Sequence, residues 1–389
     1  MSADTPTSVA KLSFHLSTLC LEKANEKRIL PYLIPGNFLE ISGTLPLKSL
    51  MRFLRASRGK LGTTGFSPWG SMNKNAKILI VGHDDIIERA LVRHFEANGF
   101  TRTVSSSAIA LNTTIQPAVY DFFAEHKPEY IFLTSTRSGG IEANQKHPAE
   151  FIYHNLESQN NVVYAARKFG VKKLLFLASS CVYPKECPQP MKEEYLLTGA
   201  LEKTSEAYAV AKIAGIKLCQ AYRRQYGLNA IVAIPATVYG PGSDTDPATA
   251  HVLGALLGKF MDAVKNNSPQ VTIWGTGAPR REFLFADDFV AACLFLMERY
   301  EGEEIMHIGS GSDVAIKELA EMIQRVCGYE GRIVFDASKP DGALRKLLDS
   351  SRLTQLGWRP KVSLEEGIKR TYERYVNVES REERVESGK

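Results

Sequence analysis

Three side chains in this sequence are of the kind, and at the spacing, that can pass a proton to a carbonyl oxygen. Tyr208 and Lys212 stand four apart in Tyr-Ala-Val-Ala-Lys, and residues four apart on a helix share one face. An ammonium beside the phenol lowers its pKa from about 10 and makes it a usable acid. Ser179 follows an apolar strand, Lys173 to Ala178, and opens the run Ser-Ser-Cys-Val-Tyr-Pro. A serine at a strand end can hydrogen-bond the same oxygen and stabilise the charge that builds there when hydride reaches the carbon. In a chain with fifteen tyrosines, a tyrosine and a lysine four apart also arise by chance, one packed and the other solvated. The apolar strand before them, inside a chain that alternates strand and helix patterns from position 77 onward, favours the catalytic reading.

Those groups need a scaffold that brings a strand end and a helix face together. Lys77–Val81, a short strand closed by Val104, Tyr130–Thr134, Lys173–Ala178 and Ala230–Ile234 read as strands. Between them the pattern predicts helices over 84–98, 116–126, 148–169 and 205–226. That alternation is the signature of an α/β fold with a Rossmann-type, doubly wound parallel sheet. After Pro241 it loosens into a smaller part carrying His251, a helix over 252–266 and a loop around Trp274. Packed against the carboxyl ends of the strands, such a part leaves a cleft for a ligand. The organisation predicted is an N-terminal extension over 1–75, a dinucleotide-binding domain over 76–240, a mainly substrate-binding part over 241–376 with segments returning to the first, and a charged tail over 377–389.

Composition narrows the function classes. The formal charge of +5 is small for 389 residues, and no Lys/Arg cluster is interleaved with aromatics, so nucleic acid is not an expected partner. Six cysteines (20, 181, 187, 219, 293 and 327) lack metal-ligand spacing, which argues against a metal site and for a reducing, cytoplasmic setting. No run approaches the roughly 18 apolar residues of a membrane span. Two readings of residues 1–71 stand open. Leu47, Leu50, Met51 and Leu54 share one helical face and Lys48, Arg52 and Arg55 another, as in an organelle-targeting or membrane-surface helix. The other reading is an extension from an upstream start, because Met72 lies just before the first strand, and Glu22, Glu26 and Glu40 weigh against a transit peptide.

Longer motifs make the pattern specific. Ser-Ser-Cys-Val-Tyr-Pro-Lys from Ser179, Tyr-Ala-Val-Ala-Lys-Ile-Ala-Gly-Ile-Lys-Leu-Cys from Tyr208, and Val-Tyr-Gly-Pro from Val238 occur in that order. They are followed by Trp-Gly-Thr-Gly-Ala-Pro-Arg-Arg-Glu-Phe-Leu from Trp274 and Phe-Asp-Ala-Ser-Lys-Pro-Asp-Gly from Phe335. Together they resemble the GDP-L-fucose synthase family of extended short-chain dehydrogenases, from about Lys77 to about Tyr375. The resemblance implies a GDP-sugar substrate and NADPH, with two epimerisations before a reduction. It gives Cys181 and His251 the roles of acid and base, and has Lys212 bind the nicotinamide ribose as well as tune Tyr208. Lys259 and Arg281 are implied near the diphosphate, Trp274 near the nucleotide or sugar, and Asp336 and Lys339 in a loop over the nucleotide. It also implies a homodimer built on helices around the catalytic one.

One segment departs from the family. Its phosphate loop reads Gly-x-x-Gly-x-x-Gly, because the chain must turn tightly, approach the pyrophosphate and pack its helix closely. This chain has Gly82-His-Asp-Asp-Ile-Ile-Glu88, with only the first glycine kept. Asp85 and Glu88 would then oppose a pyrophosphate, and Asp84 stands where the family has an arginine for the 2′-phosphate. Ser105-Ser-Ser follows the second strand where a further arginine is expected; serines can bond a phosphate without neutralising it. Arg137, at a family lysine position, is the residue left to compensate. Three readings follow: an enzyme with altered NADP(H) binding, a sugar-nucleotide-binding protein without redox chemistry, or an epimerase that no longer reduces.

Overall fold

The computed structural model describes residues 73–134, 137–246, 249–339 and 341–386. The amphipathic segment at 47–55 lies outside them. Strands β1 (Ile78–Val81), β3 (Tyr130–Leu133), β4 (Lys173–Leu177) and β5 (Ala230–Pro235) are nearly unbroken runs of Ile, Leu, Val, Phe and Ala. Such runs suit strands covered on both faces. With β2 (Thr103–Ser105) and β9 (Met306–Ile308) they make one sheet in the order β2-β1-β3-β4-β5-β9, every neighbouring pair parallel. The chain leaves β1 toward β2 on one side and returns as β3 on the other. The gap between the carboxyl ends of β1 and β3 is therefore the switch point at which such sheets bind ligands.

Helices α1 (Ile86–Ala97), α2 (Gln116–His126), a short α3 (Ile141–Lys146), α4 (Pro148–Lys168) and α5 (Glu206–Tyr226) connect these strands. The bounds of α1, α2, α4 and α5 follow the sequence periodicity within a residue or two, and α3 is an element the periodicity did not predict. The clearest difference is α1, which starts at Ile86 because Asp84 is left-handed at φ 62° and Asp85 is an extended N-cap. Helices α4 and α5 lie close, with the Gln159 amide donating to the Ala211 carbonyl at 2.8 Å. Gly215 makes that approach possible: a β-carbon there would stand 2.5 Å from Oε1 of Gln159 and closer still to the Phe176 ring. Lys173, buried within β4, is kept by three carbonyls near the end of α7 (Ala286–Arg299), those of Leu296, Met297 and Tyr300. Burial lowers its pKa to about 8.

The remaining chain surrounds β8 (Arg280–Phe285). It pairs in parallel with β6 (Thr237–Tyr239) and β12 (Arg345–Lys346), and antiparallel with β10 (Asp313–Ala315). Strand β7 (Gln270–Trp274) pairs with β11 (Arg332–Asp336), and its alternation sends Val271 and Ile273 inward and Trp274 outward. Helices α6 (Val252–Lys265), α8 (Ile316–Cys327) and α10 (Leu364–Glu386) supply Leu257, Phe260, Leu319, Ile323 and Ile368 to a second core. The short α9 (Ser351–Gln355) sends Leu353 into the core of the large sheet, as α7 does with Phe289 and Val290. The charged run Glu379–Arg384, expected as a solvated end, continues the backbone of α10 to Glu386; Glu and Arg are strong helix formers.

Candidate active site

Ser179 and Cys181 lie where β4 ends. Ser179 is extended, and its Oγ accepts from the Cys181 N–H at 3.5 Å, which starts a single 3₁₀ turn over Ser180–Val182. Helix α5 brings Tyr208 and Lys212 to the same end of the sheet. The Lys212 ammonium is buried and donates to the Thr134 carbonyl at 2.9 Å and the Leu177 carbonyl at 2.8 Å, just past β3 and at the end of β4. It stands 5.8 Å from the centre of the Tyr208 ring, which meets Phe151 edge-on. Burial lowers the Lys212 pKa to about 7, with Cys181 and Asp85 raising it. The four-residue spacing thus delivers the lysine beside the phenol, in the low-dielectric surroundings that let one charge bias the other.

Burial pushes the Cys181 thiol up, while Ser179, Lys346 and Lys212 draw it down. His251 is the N-cap residue of α6. Burial pushes its imidazole down, Asp85 and Asp244 raise it, and Lys346 lowers it further. His251 is exposed as a residue, and the protein around it still pushes the imidazole down. Lys346 acts on both groups, so thiol and imidazole share the field of one ammonium. Sequence reasoning missed it. Its signal was the Arg-Lys pair three residues past the Phe335–Gly342 motif, but its place comes from pairing: β12 sets Lys346 opposite Arg281. The buried Glu282 carboxylate then fixes the following turn by accepting from Leu348 N at 3.0 Å and Gly311 N at 2.8 Å.

Trp274 is 66% exposed, so ordinary core packing does not describe it. Its ring is flanked by the ammonium groups of Lys259 at 5.8 Å and Lys339 at 5.3 Å. Arg281, the next cation, donates to the Arg280 carbonyl at 2.8 Å and feels Asp341. The Asp341 carboxylate accepts from Thr276 N at 2.6 Å and Thr276 Oγ at 2.7 Å, tying the Trp274 loop to the loop that carries Lys339. Asp336, expected over the nucleotide, spends its carboxylate on its own turn through Ser338 N at 3.1 Å and Ser338 Oγ at 2.6 Å. An open aromatic face among cations suits a base or sugar with an attached diphosphate.

The loop after β1 is arranged differently from what the sequence suggests. Asp85 turns back to cap α1, accepting from Glu88 N at 2.9 Å. Glu88 turns inward and is 1% exposed. One of its oxygens accepts from the hydroxyls of Ser105 and of Ser107, the latter at 2.7 Å, and the other from Asp84 N at 2.5 Å. A β-carbon on Gly82 would lie 2.6 Å from that second oxygen. The serines at the end of β2 are thus engaged by a carboxylate of the chain itself. Arg137 is engaged as well, its guanidinium 2.6 Å from Glu150. The residues present fit the nicotinamide half of a dinucleotide, at Ser179, Tyr208 and Lys212 beside the switch point. At the end of β2, a 2′-phosphate would meet hydroxyls of Ser105 and Ser107 that already bond the Glu88 carboxylate. Among the described residues no group of three or more His, Cys, Asp or Glu could hold a metal ion.

Residues 78–309 match the model of the NAD dependent epimerase/dehydratase family. GDP-L-fucose synthase 1 of Arabidopsis thaliana is 49% identical over 314 residues, covering 81% of this chain and 97% of that protein. GDP-L-fucose synthase of Escherichia coli strain K12 is 45% identical over 314 residues, covering 78% of this chain and 98% of that protein. Among solved structures, a GDP-mannoheptose C4 reductase from Campylobacter jejuni with NADP bound superposes with a TM-score of 0.72 at 37% identity, over 79% of this chain and 100% of that one.

Proposed function

Because the chain belongs to the NAD-dependent epimerase/dehydratase family and, within it, to the GDP-L-fucose synthases, we propose that it converts GDP-4-keto-6-deoxy-D-mannose to GDP-L-fucose with NADPH. Epimerisation at C3 and C5 precedes reduction at C4. What supports the reading is the Tyr208–Lys212 pair, whose ammonium bonds the Leu177 carbonyl at the end of β4, with Ser179 and Cys181 just past that strand.

The hydrogens at C3 and C5 flank the ketone and are acidified by it, so inversion needs a base on one face of the ring and an acid on the other. The direction of each shift supports a division of labour. Burial keeps His251 neutral and able to accept a proton, and keeps Cys181 a thiol able to give one. After one inversion the pair is imidazolium and thiolate. Before a second inversion in the same sense a proton must leave His251 and one must return to Cys181; Lys346 favours the first of these and opposes the second, because it disfavours the imidazolium and stabilises the thiolate. Ser179 and Tyr208 hold the C4 oxygen while it carries enolate charge. NADPH, when bound, supplies the hydride to C4, and Tyr208 gives the oxygen its proton under the influence of Lys212. Trp274, Lys259, Arg281 and Lys339 hold the GDP portion. We also propose a homodimer through α4 and α5, a reading supported by Tyr153, Tyr164, Val210 and Tyr226 exposed on those helices, and a cytoplasmic setting on the cysteine pattern.

The test is incubation with GDP-4-keto-6-deoxymannose in heavy water without dinucleotide. Deuterium should enter C3 and C5, since neither exchange requires hydride. Cys181→Ser should slow that exchange strongly. Tyr208→Phe should lower NADPH-dependent reduction by about 100-fold or more while sparing part of the exchange, because Ser179 still bonds the ketone. If the GDP-sugar binds and no deuterium enters, the roles given to Cys181 and His251 are wrong.

A further inference from the structure

Lys346 reaches the site without a tie of its own: among the described residues its ammonium has no hydrogen-bond or ion-pair partner. Cys181, Arg281 and Glu202 are the groups whose charge acts on it. Its place is therefore set through the backbone, and the strand that carries it, β12, consists of Arg345 and Lys346 alone. We infer that Asp313 is a positioning residue for Lys346 and acts through Arg345. The inference rests on the proposed role of Cys181 and concerns what places the ammonium beside that thiol.

Strand register divides the labour. Arg345 lies opposite Arg280 and Lys346 opposite Arg281; paired residues share a face, and successive ones alternate. Lys346 and Arg281 thus face the site, and Arg345 and Arg280 face away from it. Asp313, opposite Glu282 on the other side of β8, belongs to that second face. Its side chain is 6% exposed, and its carboxylate accepts from Arg280 Nε at 2.8 Å through one oxygen and from Arg345 Nε through the other. The Asp313 carbonyl accepts a further bond from Arg280 Nη2 at 3.0 Å. One carboxylate therefore spans β10, β8 and β12. A two-residue strand has few ladder bonds of its own, and charge-assisted bonds are among the strongest that can hold it. After Lys346 the side-chain anchors are Gln189, whose Oε1 accepts from Leu347 N at 2.9 Å, and Glu282, which accepts from Leu348 N. Before it the side-chain anchor is Arg345.

The experiment is the pH profile of Cys181 alkylation in the full chain, with iodoacetamide as the probe and peptide mass spectrometry as the readout. Lys346 and Lys212 are the ammonium groups that act on the thiol, and the clamp concerns the first of them. Asp313→Asn should move the midpoint toward higher pH by about half a unit or more, in the direction of Lys346→Met. The sign is decisive. Loss of the Asp313 charge by itself favours the thiolate and would lower the midpoint. General loosening would lower it too, since burial pushes the thiol up. Added to Lys346→Met, Asp313→Asn should raise the midpoint no further, because the ammonium it places is gone. Should Asp313→Asn fail to fold, Arg345→Met supplies the second arm, read at about 1 M salt to screen the direct field of an exposed guanidinium; it should move the midpoint the same way. A midpoint unmoved or lowered in the variant that folds overturns the inference, as does a rise that persists in full without Lys346. The exchange in heavy water keeps the functional reading separate: a midpoint that moves as expected in a protein that exchanges no deuterium removes the role of Cys181 and leaves the clamp standing.

Discussion

Replacing His307 by Gln should flatten the acid limb of this protein's stability, and the structure sets the size of the effect. His307 lies on β9, fully buried, with Nδ1 3.0 Å from the Asp349 carbonyl and Nε2 2.5 Å from the Tyr183 hydroxyl. A carbonyl only accepts, so Nδ1 carries the proton and Nε2 accepts from Tyr183. Burial pushes the ring down to about 4 and the Tyr183 phenol up. In the unfolded chain the ring titrates near 6.5. Between those values the unfolded chain holds more protons, so stability rises with pH across the window and is lost as pH falls through it. At about 1.4 kcal/mol per pKa unit, the loss reaches about 3 kcal/mol by pH 4. Urea unfolding of wild type and His307→Gln at steps from pH 7 to pH 4 reads it directly. The wild-type free energy should fall by about 3 kcal/mol more than the variant's. Parallel curves would refute the assignment of a neutral, proton-excluding His307. The consequence reaches the active site, because Tyr183 belongs to the same short segment as Cys181.

Two further outcomes follow from contacts already described. Lys346→Met should move the pH profile of Cys181 alkylation, read by peptide mass spectrometry, toward higher pH, because Lys346 draws the thiol down; an unmoved profile would take Lys346 away from the thiol. Gly215→Ala should cost about 2 kcal/mol or more and lower the melting temperature, since its methyl meets Phe176 and Gln159; unchanged melting would mean that α4 and β4 yield without strain.

The sheet was legible because β1, β3, β4 and β5 are covered on both faces and therefore written as plain apolar runs. The strands around β8 were not. β10 and β12 have three and two residues and exist through pairing with a partner 30 to 65 positions away, which no local pattern records. The same division runs through the site. Tyr208 and Lys212 announce themselves by helical spacing, and Ser179 by its strand. Lys346 acquires its role only when β12 lies beside Arg281. Asp85 and Glu88 were visible as departures, but their identity alone suggested carboxylates facing a pyrophosphate. The folded chain uses the first as a cap and buries the second among serines, and side-chain direction of that kind is decided by neighbours distant in sequence.

Lys212 has a double tie whose consequence is mechanical. Its ammonium joins the carbonyls of Thr134 and Leu177, so it laces together two adjacent strand ends from a third element, α5. The charge beside the phenol is therefore in place only when that lacing is complete. A molecule with α5 undocked lacks both the clasp and the chemistry, so activity and closure of the sheet at this point are gained in one step and lost in one step. A substitution at Lys212 reports on the clasp as much as on the proton, and its kinetic deficit is to be read against the stability it removes.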